Sequence, residues 1–326
     1  ANMTTVTFTV RRALGRELKP GDEIVVTQLD HDANIAPWLL LARDTGAVVR
    51  WVDIREEDVT LDMASFEAAI TSRTRIVAAG YASNAVGTIN DVRAMVDMAH
   101  AAGALAFIDA VQYAPHGPVD VQSLGCDLLA CSAYKFFGPH VGVLYGRYDL
   151  LDRLAAYKVR PADNNPPHKF ETGTLNHEGI AGTRAAVEYL GQISNIKPQL
   201  SNRRERVVAG LMAIKEYEQT LSKRLISGLQ QVKGLKIWGI TDPGKLDRRV
   251  PTVSFTLAGH SPREVAEYLG QRGIFVWDGN YYALAVMERL GLQPTGGMVR
   301  VGLAHYNTAE EVDRLLNDLD ALTRSA

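Results

Sequence analysis

Through the first half of the chain, short apolar and β-branched runs alternate with stretches of helical period. The runs are Glu23–Leu29, Val48–Ile54, Arg75–Ser83, Leu105–Val111, Leu128–Tyr134 and Val141–Arg147. The spacing predicts helices over Asn2–Leu18, Asn34–Thr45, Met63–Thr71 and Val92–Ala102. Strand and helix in alternation predict a mostly parallel sheet covered on both faces. Ligands of such sheets gather at the carboxyl ends of the strands. Asp30-His31, Ser83-Asn84, Asp109 and Lys135 all stand at or just past predicted strand ends. The polar residues therefore converge on one edge of the sheet.

After Arg147 the texture changes. Pro161–His168 is a loop by composition, Gly179–Ile193 reads as a helix, and Asn202–Val232 is a long helical stretch that passes between two domains. The remainder predicts strands at Leu235–Ile240, Val250–Ala258, Ile274–Trp277 and Met298–His305, with helices at Pro262–Gly273 and Thr308–Ala321. Thr308 and Glu311 form a capping box for the last helix. The expected architecture is a large α/β domain over residues 1–212 and a smaller α+β domain over 213–326.

Composition narrows the function. The chain has 326 residues, 46% hydrophobic and 22% charged, with a net charge of −2, so nothing points to nucleic acid or an anionic membrane. No apolar run is long enough to span a bilayer. Cys126 and Cys131 make neither a metal-ligand pattern nor a disulfide framework; they read as small core residues, no metal site is expected, and a reducing, cytoplasmic setting fits. The opening Ala1-Asn2-Met3-Thr4 does not read as a native start. A preceding segment is expected, so N-terminal targeting is not legible.

Lys135 follows an apolar run, where a cation needs a reason. One reason is chemical: partial desolvation lowers a lysine pKa and supplies the neutral amine that forms an imine with an aldehyde cofactor. A lysine snorkelling out at the strand end is the simpler reading of that stretch alone. Upstream, Phe107–Gln112 reads as a strand ending in the carboxylate of Asp109. Pyridoxal 5′-phosphate would need that set: Lys135 for the imine, Asp109 against the ring nitrogen, Gln112 near the ring hydroxyl and a flat group such as His31 over the ring. His31 could equally be a helix-entry residue. The phosphate would need backbone N–H groups at a helix start, with Asn2-Met3-Thr4-Thr5 and Ser132 as candidates, although Ser and Thr there are usually caps.

Asp109-Ala110-Val111-Gln112, Ser132-Ala133-Tyr134-Lys135 and Gly138-Pro139 together resemble the cofactor signature of class V aminotransferases. The resemblance is closest to the cysteine desulfurase and selenocysteine lyase branch. Asp30–Trp38, Ser83–Thr88, Phe170–Asn176 and Val299–Thr308 match further motifs of that branch in order. The resemblance implies a pyridoxal-phosphate fold of type I. By it, Lys135 forms the imine and shuttles protons, Asp109 pairs with the ring nitrogen, Gln112 with the ring hydroxyl, and His31 stacks on the ring. Asn84 sits by the cofactor and the bound amino acid, and Asn2, Met3 and Ser132 hold the phosphate. Thr174 reaches the phosphate of a neighbouring subunit, which implies a homodimer. Arg300 grips the substrate carboxylate, as a guanidinium fork can, though a solvent-facing strand residue would show the same alternation.

Two departures shape the expected function. Desulfurases of the branch carry a loop cysteine that attacks the substrate sulfur; here the stretch reads Trp277-Asp278-Gly279-Asn280-Tyr281-Tyr282-Ala283, with Tyr282 at the cysteine position, lining the substrate site. Tyr134 replaces the histidine usual before the lysine and could donate to the phosphate in its place. The expectation is an enzyme acting on a small amino acid through an external aldimine, without persulfide chemistry: β-elimination as a C–S lyase, epimerisation or transamination. A desulfurase using Cys126 or Cys131, or a cofactor-binding homologue without catalysis, is the alternative.

Overall fold

The computed structural model describes residues 2–193 and 202–324. Among the described residues twelve strands are ordered β1 (Glu23–Thr27), β2 (Val48–Val52), β3 (Ile54–Arg55), β4 (Thr60–Leu61), β5 (Thr74–Gly80), β6 (Leu105–Asp109), β7 (Leu128–Ser132), β8 (Gly142–Gly146), β9 (Leu235–Trp238), β10 (Thr252–Leu257), β11 (Trp277–Gly279) and β12 (Met298–Gly302). The six-stranded sheet runs β2-β1-β5-β6-β7-β8, parallel throughout except for β8. Its strands are apolar on both faces because helices cover both. α1 (Met3–Leu14) and α2 (Ala36–Thr45) lie on one side, where Leu14, Ile24, Val26, Trp38, Phe107 and Leu128 share one core. α3 (Met63–Ala69), α4 (Val92–Ala101) and the short α5 (Val121–Leu124) close the other, with Phe66, Met95, Val77 and Ile108. The strand order reverses between β1 and β5, so the chain leaves the sheet in opposite directions there and opens a crevice at the carboxyl ends.

After α6 (Tyr148–Arg153), α7 (His177–Leu190) packs beside the start of α8 (Arg203–Leu229). Leu211 and Ile214 of α8 join a core with Ala133 and Phe136, whereas Leu221, Leu225 and Leu229 join the core of the second sheet. That antiparallel sheet runs β11-β12-β10-β9 and is covered by α9 (Pro262–Gly270) and α11 (Ala309–Arg324); the short α10 (Leu284–Arg289) follows β11. α11 begins in the expected capping box: Glu311 N–H donates to Thr308 Oγ1 at 3.3 Å, and Thr308 N–H to the Glu311 carboxylate at 3.0 Å.

Several boundaries differ from expectation: the helix expected over Asn2–Leu18 ends at Leu14, the strand expected over Val48–Ile54 breaks at Asp53, and two further shifts bear on the site. The strand expected at Ile274–Trp277 begins only at Trp277, because Gly273 turns the chain at a φ of 71° and the pairing partners of β12 are Trp277, Asp278 and Gly279. The run Leu128–Tyr134 leaves the sheet at Ser132 and winds into a 3₁₀ turn over Ala133–Phe136. That turn carries Tyr134 and Lys135 off the strand and over the crevice.

Candidate active site

A cavity of about 660 Å³ lies at the carboxyl ends of β1, β5, β6 and β7 and is walled on its far side by residues of β11, β12 and the loop between them. His31, Asn84, Asp109, Gln112, Ser132, Tyr134 and Lys135 line it from the large sheet, and Tyr282 and Arg300 from the small one. Asn2 and Met3 reach it from the start of α1. Thr174 stands apart, exposed in the loop before α7.

Burial and the Arg300 guanidinium both push the Lys135 ammonium below the usual lysine range, and Asp109 opposes them only in part. Among the described residues its Nζ makes no ion pair; the nearest ring, Tyr134, has its centroid 5.6 Å away. Asp109 is buried at the end of β6 and one of its oxygens accepts from Val111 N–H at 2.9 Å. Desolvation raises its pKa to about 6 against that bond and the Lys135 charge. His31 is held to about 4 by burial and by the charges of Lys135 and Arg300. Its Nδ1 accepts from Ala33 N–H at 3.0 Å, so the neutral ring carries its proton on Nε2.

Asn84 joins the two sheets. Its Nδ2 donates to Tyr281 O at 2.8 Å, and its backbone oxygen accepts from Arg300 Nη1 at 2.8 Å. Its side-chain Oδ1 is buried without a partner. Asn84 lines the cavity, and an orphaned buried acceptor beside it calls for a donor that the protein itself does not supply. Arg300 stands on β12 with its guanidinium 4.5 Å from the Tyr281 ring centroid and 5.8 Å from that of Trp277. Gln112 lines the cavity and its Nε2 donates one hydrogen to Thr252 Oγ1 of β10 at 2.9 Å, which leaves its second N–H and its carbonyl oxygen for a ligand.

The far end of the cavity suits an anion. α1 has twelve residues, no acidic residue in its first turn, and its N-terminus at the cavity. Asn2 caps it, its Oδ1 accepting from Thr5 N–H at 2.9 Å and from Thr5 Oγ1 at 3.1 Å. β8 approaches so closely that a Cβ on Gly142 would lie 2.7 Å from Met3 N. Tyr134 stacks on His140 at 5.1 Å, so an imidazole still stands beside the position from which the sequence lacks one.

The loop after β11 is built tightly. Tyr281 and Tyr282 both adopt left-handed backbone, φ 56° and 58°, costly for aromatic residues. Tyr281 is buried and its hydroxyl donates to Met298 O; Tyr282 O accepts from Asp32 N–H at 2.6 Å. Tyr282 itself is exposed and stacks on His31 at 5.7 Å. Cys126 and Cys131 pack in the large-domain cores, where burial pushes their thiols up to about 11 and about 12. Asp30, Trp277 and Tyr281 also line the cavity. The sequence signal for Asp30 is its place as a second carboxylate at a strand end.

The profile of the aminotransferase class-V family matches residues 2–315. A probable cysteine desulfurase of Mycobacterium leprae is 36% identical over 315 residues, 93% of this chain and 48% of that protein. A cysteine desulfurase of Pectobacterium atrosepticum is 34% identical over 331 residues, 97% of this chain and 74% of that protein. The chain thus spans about half the length of the first relative and about three quarters of the second. The apo structure of a cysteine desulfurase from Thermococcus onnurineus is similar with a TM-score of 0.88 at 30% identity, covering 100% of this chain and 78% of that one. A cysteine desulfurase structure from Escherichia coli gives 0.86 at 28% identity, covering 99% and 77%. A match that begins at the cap of α1 and ends inside α11 takes in both sheets and the whole cavity wall, and it puts this chain in the class V aminotransferase family, enzymes that depend on pyridoxal 5′-phosphate.

Proposed function

We propose that this chain acts on a small amino acid with pyridoxal phosphate and without any protein thiol in the reaction. The observation that carries the reading is Tyr282: a phenol, stacked on His31 at the cavity, holds the loop position where a sulfur-accepting cysteine is expected. Thiol chemistry needs a thiolate that reaches the substrate. Cys126 and Cys131 have raised thiol pKa values and sit in packed cores.

The cavity fits the cofactor. The orphaned Asn84 Oδ1 offers an acceptor, the α1 N-terminus with Ser132 offers an anion site, and Asp109 offers a buried carboxylate for a ring nitrogen. When bound, the cofactor supplies an electron sink for the bond broken at the amino-acid α-carbon. Lys135, its ammonium disfavoured by burial and by Arg300, stands where its amine could take and return the α-proton. Asp109 would hold a ring nitrogen protonated, and His31, its pKa lowered to about 4, would lie over the ring without bringing a second charge. Arg300 holds the carboxylate end, its guanidinium set by Asn84 O and Tyr281. Elimination at the β-carbon, epimerisation and transamination are all open to this set. A cofactor-binding homologue without catalysis would have no need of Lys135, Asp109 and Arg300 together.

Cysteine as substrate separates the readings. Single-turnover reaction followed by intact mass spectrometry should find no sulfur added to the protein. Elimination should release pyruvate, ammonia and sulfide in step, whereas epimerisation and transamination should leave the C–S bond intact and release no sulfide. Alanine as the main product, with one sulfur on Cys126 or Cys131, would restore the desulfurase activity for which the relatives are named.

The same reading extends to assembly. We place the domain boundary inside α8 near residue 212 and propose a cytoplasmic homodimer in which Thr174 of one copy completes the phosphate site of the other. Its support is the exposure of Thr174 away from its own cavity, and both cysteines being free thiols. No helix among the described residues is long and apolar enough to cross a membrane. Sedimentation at micromolar concentration should find a dimer. A monomer that holds cofactor and turns over substrate would refute it.

A further inference from the structure

Asp30 is a second carboxylate at the crevice that holds Asp109, and the roles of Lys135, Asp109 and Arg300 leave it unused. It follows β1 at the reversal of strand order, lines the cavity, and is 3% exposed. Its Oδ1 accepts from Thr27 Oγ1 and from Gly80 N–H, both at 2.9 Å, and its Oδ2 from Asn34 Nδ2 at 2.7 Å. Two of the three directions are forced, those of Asn34 and Gly80. Trp38 Nε1 can only donate, and it takes Asn34 Oδ1 at 3.2 Å, so Asn34 must turn its amide nitrogen to Asp30. Gly80 N–H likewise can only donate. Three donors make the shell of an ionised carboxylate, yet among the described residues no Lys, Arg or His pairs with Asp30. Burial and the charge of Asp109 together push it up to about 7.

The backbone ties this group to Asp109. A Cβ at position 80 would stand 2.8 Å from Asp30 Oδ1, so the glycine is what lets the carboxylate reach the strand end. Gly80 is the register partner of Asp109 between β5 and β6, and the next residue, Tyr81, donates its N–H to Asp109 O at 2.8 Å. A buried carboxylate with a full donor shell and no cation is costly to keep ionised. A cation arriving in the cavity would lower that cost for both acids at once.

We propose that Asp30 and Asp109 form a carboxylate pair for one cationic heteroaromatic nitrogen, with Asp109 in contact and Asp30 a positioning residue whose charge strengthens the nitrogen's hold on its proton. The proposal rests on the pyridoxal-phosphate reading of the cavity. Thr27, Asn34 and Gly80 hold Asp30 in place, and in a low-dielectric site its charge acts across the gap without contact.

The test compares pyridoxal phosphate with its carbocyclic analogue, in which C–H replaces the ring nitrogen. Asp30→Asn should weaken equilibrium binding of pyridoxal phosphate to the purified chain about tenfold, the scale of one pKa unit. It should leave binding of the analogue unchanged. Equal loss for both would make Asp30 a structural cap, and no loss for either would also overturn the proposal. Wild-type protein that binds neither would overturn the cofactor reading, and the proposal with it. Should Asp30→Asn fail to fold, carboxyl NMR of the cofactor-free chain serves instead. The Asp30 carboxyl should titrate at lower pH in Asp109→Asn than in wild type; an unmoved titration would show that the two acids are not a pair.

Discussion

Lys135→Ala should abolish covalent cofactor attachment and lower turnover by about 10³-fold or more, the combined loss of a nucleophilic amine and a positioned base. Lys135 stands on a 3₁₀ turn rather than inside a strand, and its Nζ anchors nothing among the described residues. The variant should therefore fold and still take up cofactor, held at its anion end and by Asp109. Two neighbours set the amine's reactivity in opposite directions. Arg300 and desolvation favour the neutral form, while Asp109 favours the ammonium. A cation at the ring nitrogen would occupy Asp109 and remove the one influence that keeps the ammonium. Borohydride reduction and peptide mapping check the assignment: wild type should carry the pyridoxyl group on Lys135, and the variant on no residue. A label on another lysine, or a variant that turns over within tenfold of wild type, would defeat the reading of this site.

The legible and illegible parts of the site divide by sequence distance. Strand ends were readable because parallel strands buried on both faces are continuous apolar runs, and a charged residue closing such a run marks an edge. Asp109 and the neighbourhood of Lys135 were placed that way. The turn that lifts Lys135 off β7 is not, because Ala133, Tyr134 and Phe136 are as apolar as a strand needs, and what closes the turn is the donation of Phe137 and Gly138 N–H to Ala133 O. Partners far along the chain were invisible. Gln112 meets Thr252, Asn84 meets Tyr281 and Arg300, and buried Arg249 joins the 83–88 turn to the second sheet through Val86 O and Thr252 O. No period or spacing carries such pairings. The slip of the strand from Ile274–Trp277 to Trp277–Gly279 has the same origin, since register is a property of β12 as much as of the run itself. Tyr281 and Tyr282 are adjacent and alike in sequence, yet one fills the core between the sheets and the other faces the cavity. Their burial separates them, Tyr281 being 5% exposed and Tyr282 71%.

Arg300→Ala should weaken binding of an amino-acid substrate by about 2–5 kcal/mol, or about 30-fold to a few thousand-fold, while the bound cofactor's absorbance stays as in wild type. The size follows from burial. Arg300 lies mostly out of water between Tyr281 and Trp277, and among the described residues no carboxylate neutralises it. A substrate carboxylate would pair with it at low dielectric, where a bidentate contact is strongest. One nitrogen is already committed, since Nη1 donates to Asn84 O, and that bond aims the rest of the fork into the cavity. Arg300→Lys should therefore recover only part of the loss: it restores the charge but neither the fork nor the planar stack on Tyr281. The control is an amine of the same shape without a carboxylate. It should bind wild type weakly and lose little more on Arg300→Ala. A substrate and a carboxylate-free amine that lose affinity equally would mean that Arg300 supports Asn84 and the Tyr281 loop and does not touch the substrate.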